Sequence, residues 1–302
     1  MRSVEIWNIN RKNRIFYKNP EFIKPNNILE LLWKFIFLFV RFVHRYIISR
    51  KVYDIKEEAG ITEYKTYSSG IAFSGKLPKV VVYTCILGNY DKLHEPIYVN
   101  HNIDYYAICD FDIPKESTWN KIDIHDINNI KDLDNIKKAR YIKMHPSEIF
   151  PDYDYSIWID GNIIIMADIM PVIINMLASE KKIACHMHPL RNKLSTEGKA
   201  IVALRRKVDK SIMSKQIHDY YHDGYKDTNE ILETTIIARK NNDKRVDDLM
   251  DCWWKQIIKY TTRDQLSLPY AMWLQDWDLS DILILGHNLR LNPRFIYIEH
   301  EI

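Results

Sequence analysis

Apolar runs bounded by turn residues alternate with segments of helical composition along most of the chain. Lys79 to Leu87 (KVVVYTCIL) is rich in β-branched residues, the pattern of a strand buried on both faces of a parallel sheet. Gly88-Asn89-Tyr90-Asp91 follows as a turn. Asp104 to Cys109 (DYYAIC), Tyr155 to Asp160 (YSIWID), Lys182 to Met187 (KIACHM) and Glu233 to Arg239 (ETTIIAR) read as further strands. Ile282 to Leu285 and Phe295 to Ile298 read as short terminal ones. Between them Asp134 to His145, Asp168 to Glu180, Thr196 to Tyr221, Asp243 to Tyr260 and Gln265 to Trp273 have helical composition. Pro146 ends the first of these helices. The alternation predicts an α/β sheet covered by helices. Such sheets bind ligands at the carboxyl ends of their strands.

The pattern changes upstream. Ile28 to Ile48 (ILELLWKFIFLFVRFVHRYII) is the most apolar stretch of the chain. On a helical wheel Glu30, Lys34, Arg41, His44 and Arg45 fall within an arc of about 100°. A narrow, mostly basic stripe beside a wide apolar face describes a helix lying in a membrane interface. A helix docked on the protein's own core or on a partner subunit has the same pattern. The longest charge-free run, Phe35 to Val40, is far short of the roughly 20 residues a spanning helix needs. Residues 1–26 carry no apolar core of a signal peptide, and residues 49–78 read as a polar linker. The expected organisation is an extension over 1–78, made of the amphipathic helix 28–48, membrane-associated or docked on protein, and a linker, followed by an α/β domain over 79–302.

Charge and cysteine usage narrow the function. Lys+Arg is 43 and Asp+Glu is 40 in 302 residues, a net charge of +3. That balance argues against a nucleic-acid partner, which calls for a concentrated basic excess. Cys85, Cys109, Cys185 and Cys252 each sit in an apolar run and form no CxxC pair. Buried, reduced thiols and a reducing compartment are the expectation. No GxxxxGK[ST], GxGxxG, GxSxG or HExxH motif is present, which disfavours ATPase, dinucleotide-dependent, serine-hydrolase and zinc-peptidase chemistry.

Acidic residues at strand exits remain. In Asp160-Gly161-Asn162 the first and third side chains point to one side of an extended chain. One carboxylate and one amide oxygen suit a hard divalent ion that also holds a diphosphate. An ordinary strand-to-turn boundary has the same composition. Asp110-Phe111-Asp112 and Asp152-Tyr153-Asp154 are formally better DxD matches. Asp110 ends the second strand, where ribose and base contacts are expected. Asp152 and Asp154 precede their strand. Lys137, Lys138, Arg140 and Lys143 suit phosphate neutralisation, though they cannot all face one way, and a solvated helix face is the alternative.

The segments VVYTCILGNYDKL (81–93), YAICDFD (106–112), KKARYIKMHP (137–146), YDYSIWIDGNI (153–163), ACHMHPLRN (184–192), ETTIIARKNN (233–242) and RDQLSLPYA (263–271) together resemble one family. It is the glycosyltransferase-like domain family of the plant mucilage-related and turgor-defect proteins and their bacterial relatives. The resemblance spans roughly residues 79–275 and implies a GT-A-like, Rossmann-like mixed sheet flanked by helices. It implies a nucleotide-sugar glycosyltransferase using Mn²⁺ or Mg²⁺, with a UDP-sugar donor and a glycan or lipid-linked acceptor in surface polysaccharide synthesis. The enzyme would work in the cytoplasm, at the inner face of the membrane.

Carried onto this chain, the resemblance has Tyr83, Thr84, Asn89, Tyr90 and Asp91 lining the nucleotide pocket and Asp110 near base or ribose. Lys138, Arg140 and Lys143 would face the diphosphate. Asp160 and Asn162 would replace a two-carboxylate DxD and hold the metal, with a late histidine, His287 in preference to His300, completing the set. His186 and His188, with Arg191 and Gln265, would contact the acceptor. Glu233 and Asp264 are the candidate catalytic carboxylates, though Asp264 after Arg263 also suits a helix N-cap. A membrane-associated, metal-dependent hydrolase and a non-catalytic glycan-binding or assembly subunit are the alternatives.

Overall fold

The structure, a computed structural model, describes residues 77–189, 191–203, 208–227 and 231–298. The amphipathic segment 28–48, the rest of the 1–76 stretch and His300 lie outside these residues.

Nine strands are described: β1 (Val80–Ile86), β2 (Ile103–Cys109), β3 (Asn120–Asp123), β4 (Tyr155–Ile159), β5 (Ile163–Ile165), β6 (Ile183–Met187), β7 (Leu232–Lys240), β8 (Ile282–Ile284) and β9 (Phe295–Tyr297). The α-helices are α1 (Asn135–Met144), α2 (Pro146–Ile149), α3 (Met170–Ala178), α4 (Leu194–Ala203), α5 (Lys210–His222), α6 (Lys244–Lys259) and α7 (Asp264–Leu274). Seven strands form one sheet in the order β3-β2-β1-β4-β7-β6-β8, and β5 pairs with β9 in a second.

The main sheet is α/β and mixed, as the family resemblance implies. Strands β3, β2, β1 and β4 run parallel. β7 is inserted antiparallel between β4 and β6, and β8 runs parallel to β6. The reversal of β7 places its amino end beside the carboxyl ends of β4 and β6. Ile159 pairs with Ile236, and Asp160 N donates to Thr235 O at 2.9 Å. A register shift between Cys185 and His186 sets His186 opposite Glu233, re-aiming the last two residues of β6. The exits of β2, β1, β4, β6 and β8 and the start of β7 therefore share one edge of the sheet.

Packing explains why these segments hold their places. β1 is buried at all seven positions. In α6 the buried residues Val246, Leu249, Met250, Trp253, Gln256 and Ile257 recur at helical spacing, an apolar stripe laid on the sheet. Fully burying one side chain of this size contributes about 1.5–3 kcal/mol. Trp253 also donates its indole N–H to Asp264 O and Ser267 Oγ, both at 3.1 Å. That bond ties α6 to the first turn of α7.

Two glycines set the site edge. Gly88 and Asn89 take φ of +64° and +56°, the left-handed region that glycine enters freely and asparagine tolerates. Gly161 lets β4's exit press against β1's. A Cβ there would lie 2.8 Å from Ile86 Cγ1 and 3.3 Å from Asp91 Cβ.

The structure corrects the element boundaries in three places. Thr196 to Tyr221 is two helices, because Asp209 caps α5 by accepting from the backbone N–H groups of Ser211 and Ile212. β3 and β5 appear as strands without a sequence signature: β3 is a polar edge strand, and β5 has three residues.

Candidate functional site

Lys143 is the centre of the edge. It lies on α1, which Asp134 starts by accepting from Lys137 N, and is 0% exposed. Its Nζ donates to Asp264 Oδ2 at 2.6 Å and stands 3.5 Å from Asp160 Oδ1. The ammonium also lies 5.6 Å from the centre of the Trp158 ring. One turn earlier, Arg140 Nη1 stands 3.6 Å from Asp264 Oδ2, and its Nε donates to Thr262 O. Lys137 pairs with Asp134 instead, and Lys138 is half-buried. The cluster therefore divides as the helical spacing demands, with Arg140 and Lys143 on the site face.

Asp160 is held from one side. Its Oδ1 accepts the Trp158 indole N–H at 2.7 Å and faces Lys143. Trp158 lies two residues earlier on the same strand, so both side chains share a face. Asn162 is buried at 3% exposure, and its Nδ2 donates to Ile298 O while Ile298 N donates to Asn162 O. Its Oδ1 is buried without a hydrogen-bond partner. The amide is a strut to β9. Asn162→Asp would set a carboxylate against the Ile298 carbonyl. It is expected to lower stability by about 1–3 kcal/mol, read as the urea midpoint at neutral pH. An unchanged midpoint would show that the strut holds nothing.

The two candidate catalytic carboxylates differ. Asp264 is not an N-cap: Arg263 holds that position and Asp264 begins α7. Burial pushes its pKa up, but the charges of Arg140 and Lys143 and hydrogen bonds from Lys143 and Thr234 outweigh it. The carboxyl is held well below the usual range. A carboxylate so stabilised is a weak base, and in this structure Asp264 is the counter-ion of Lys143. Glu233 is pushed the other way by burial, against the opposing charge of Arg290, with Asp160 adding to the rise. Arg290 Nη1 donates to Glu233 Oε1 at 3.1 Å, while Oε2 is buried without a hydrogen-bond partner.

Other expectations need correction because the side chains are used in the core. Tyr83 is 0% exposed; its hydroxyl donates to Lys143 O and accepts from Arg239. It supports Lys143 from below rather than lining a pocket. Thr84 is 1% exposed on the other face of the same strand. His186 is fully buried, its Nε2 3.0 Å from Asn292 Nδ2, and offers no acceptor contact. His287 is exposed after β8, and among the described residues no three His, Cys, Asp or Glu side chains form a group able to hold a metal.

The remaining expected residues do reach the edge. Tyr90 is 55% exposed on the turn after β1, beside exposed Asn89, and Asp91 packs on Gly161. Asp110 secures that turn by accepting from Gly88 N at 2.9 Å. Gln265 is half-buried at the start of α7. His188 accepts from Arg191 N at 3.0 Å, and Arg191 is ion-paired with Glu197. Burial, then the charges of Arg191 and Arg290, pull the His188 pKa down to about 3, so the ring is neutral at physiological pH.

Sequence reasoning missed Trp158, Thr234, Arg239 and Arg290. Only Trp158 carried a signal, its i, i+2 spacing from Asp160.

Residues 71–280 match the model of the TOD1/MUCI70, glycosyltransferase-like domain. Two Arabidopsis thaliana proteins are similar. "Alkaline ceramidase TOD1" is 22% identical over 64% of this chain and 48% of its own length. "Probable hexosyltransferase MUCI70" is 24% identical over 51% of this chain and 27% of its own length. The chain thus spans less than half the length of either. Among solved structures, the apo form of the WbbM bifunctional glycosyltransferase aligns over 71% of this chain and 40% of its own, at 14% identity and TM-score 0.40. With the family model covering more than half of its residues, the chain belongs to the TOD1/MUCI70 glycosyltransferase-like domain family.

Proposed function

We propose that the protein transfers a sugar from a nucleotide-sugar donor, a UDP-sugar foremost, to a glycan or lipid-linked acceptor in surface polysaccharide synthesis. The observation that carries this reading is Arg140, 23% exposed at the strand exits and fixed beside the buried Lys143–Asp264 pair. A preorganised cationic centre at the sheet's ligand edge stabilises the charge that develops on a leaving diphosphate. Membership of the family and the likeness to a protein named a hexosyltransferase support it.

Glu233 has the role of base. Oε1 is held by Arg290, and Oε2 has no partner to give up. It takes the proton of the acceptor hydroxyl as that oxygen bonds the sugar. Mn²⁺ or Mg²⁺ belongs to the same proposal. The fitting oxygens are those of Asp160, whose described bonds all fall on Oδ1, and the partnerless Oδ1 of Asn162. Both are hard donors, suited to an ion that keeps water and phosphate among its other ligands. Bound there, it would offset diphosphate charge. Peripheral contact of segment 28–48 with the cytoplasmic membrane face completes the reading. No helix among the described residues is long and apolar enough to cross a membrane.

A second reading, lipid hydrolysis at the same edge, rests on the relative named an alkaline ceramidase. Thermal-shift measurements against UDP, GDP, CMP and ADP, with and without Mn²⁺, separate the two. Binding to the native state raises the melting temperature. One nucleotide is expected to shift it, more so with Mn²⁺, and Asp160→Ala to remove the metal-dependent part. Indifference to every nucleotide, together with cleavage of a ceramide, would replace transfer with hydrolysis.

A further inference from the structure

We infer that Arg290 is the positioning residue for Glu233: by gripping Oε1 it leaves the buried Oε2 as the carboxylate oxygen with no hydrogen-bond partner, the one free to take a substrate proton. The inference rests on the proposed role of Glu233 and adds a residue that neither the sequence motifs nor the family match, which stops at residue 280, points to.

Arg290 is itself held. Its guanidinium lies 4.2 Å from the centre of the Tyr297 ring, and a stacked planar cation keeps its fork oriented. Tyr297 is on β9, where it pairs with Ile163, the residue that follows Asp160-Gly161-Asn162. Asn162 fastens to Ile298, the residue just after β9, through side chain and backbone. The β5–β9 pair thus fixes Arg290 relative to Asp160 and Asn162 as well as to Glu233.

The contact is no ordinary surface ion pair, which contributes little. The Glu233 side chain is 6% exposed and that of Arg290 32%. A buried carboxylate held by one charged donor loses orientation and charge compensation together when the donor goes. The groups facing Glu233 come from every neighbouring element. Asp160 at the β4 exit disfavours its ionisation, and Arg191 after β6 favours it as Arg290 does. His186, opposite on β6, and His188 beyond it complete the surround; the Cys185 thiol donates a hydrogen bond to the backbone carbonyl of Glu233.

The test uses the full chain without ligand. Folding stability is measured by urea from pH 4 to 8 for the wild type, Arg290→Gln, Glu233→Gln and the double variant. Burial lifts the Glu233 pKa above its unfolded value, so its contribution is present below the ordinary glutamate range and is lost as pH rises through the folded value. Arg290→Gln lifts that value further. Its stability is therefore expected to fall more steeply than the wild type's as pH rises, and over a wider range. In the Glu233→Gln background Arg290→Gln should add no pH-dependent loss. Should Arg290→Gln not fold, Arg290→Lys, which keeps the charge without the fork, enters the same cycle. A constant offset at every pH, or one that survives Glu233→Gln, would reduce Arg290 to packing and overturn the inference.

A second arm tests positioning. With a nucleotide sugar that the wild type turns over, Arg290→Gln should lower kcat by about 100-fold, leave the donor KM unchanged and move the acid limb to higher pH. Unchanged kcat and an unmoved limb would also overturn it. If the wild type turns over no nucleotide sugar, the transferase reading fails while the stability cycle still decides the Arg290–Glu233 coupling.

Discussion

Lys143→Met is expected to destabilise the protein by about 3–5 kcal/mol at neutral pH, the range for breaking a buried ion pair by removing one partner. Methionine fills much of the lysine's volume, so the loss comes from charge. Asp264, 8% exposed, would keep only Arg140 at 3.6 Å as cation, and Asp160 would lose its facing ammonium. The pH dependence identifies the cause. The Asp264 pKa is lowered on folding because its cations and hydrogen bonds outweigh burial. Its contribution is therefore present above the ordinary aspartate range and is lost as pH falls through the folded value. Urea midpoints of wild type and variant should be furthest apart near pH 7 and converge in acid. A gap that stays constant with pH would mean that Lys143 acts through packing alone.

Glu233→Gln is expected to lower the turnover of a nucleotide sugar by about 10²–10⁴-fold, the usual worth of a positioned base. The nucleotide-induced thermal shift should survive, because no donor contact is assigned to this residue. Asp264→Asn makes the contrasting variant, since it disturbs the cationic centre on which the diphosphate would rest. Loss of donor affinity in Glu233→Gln, with turnover otherwise intact, would move Glu233 to the donor side and end its role as base.

The strands were legible because buried β-branched runs leave little choice of structure. Their direction was not. ETTIIAR has the same apolar character read either way, and the antiparallel placement of β7 follows only from its neighbours. The acidic positions were legible for the same reason as the strands: Asp110, Asp160 and Glu233 punctuate apolar runs at their ends. The burial of Lys143 was not, because composition places it beside Lys137 and Lys138 without marking it as a core residue. Tyr83 and His186 were misread as ligand contacts because a strand covered on both faces offers neither side to a ligand. Arg290 meets Glu233 across 57 positions of sequence, beyond any local pattern.

The β5–β9 pair also says when the site can exist. Ile163–Ile165 must wait for Phe295–Tyr297, more than 100 residues later, and contacts of such separation are costly to close. The seven-stranded sheet needs nothing beyond Ile284. A chain still being synthesised can therefore assemble its core with Lys143 and both aspartates in place, and yet lack Arg290 and the partner of Asn162. On this topology the grip of Arg290 on Glu233 forms after the main sheet, so a partly synthesised chain carries a formed core with the Glu233 carboxylate unheld.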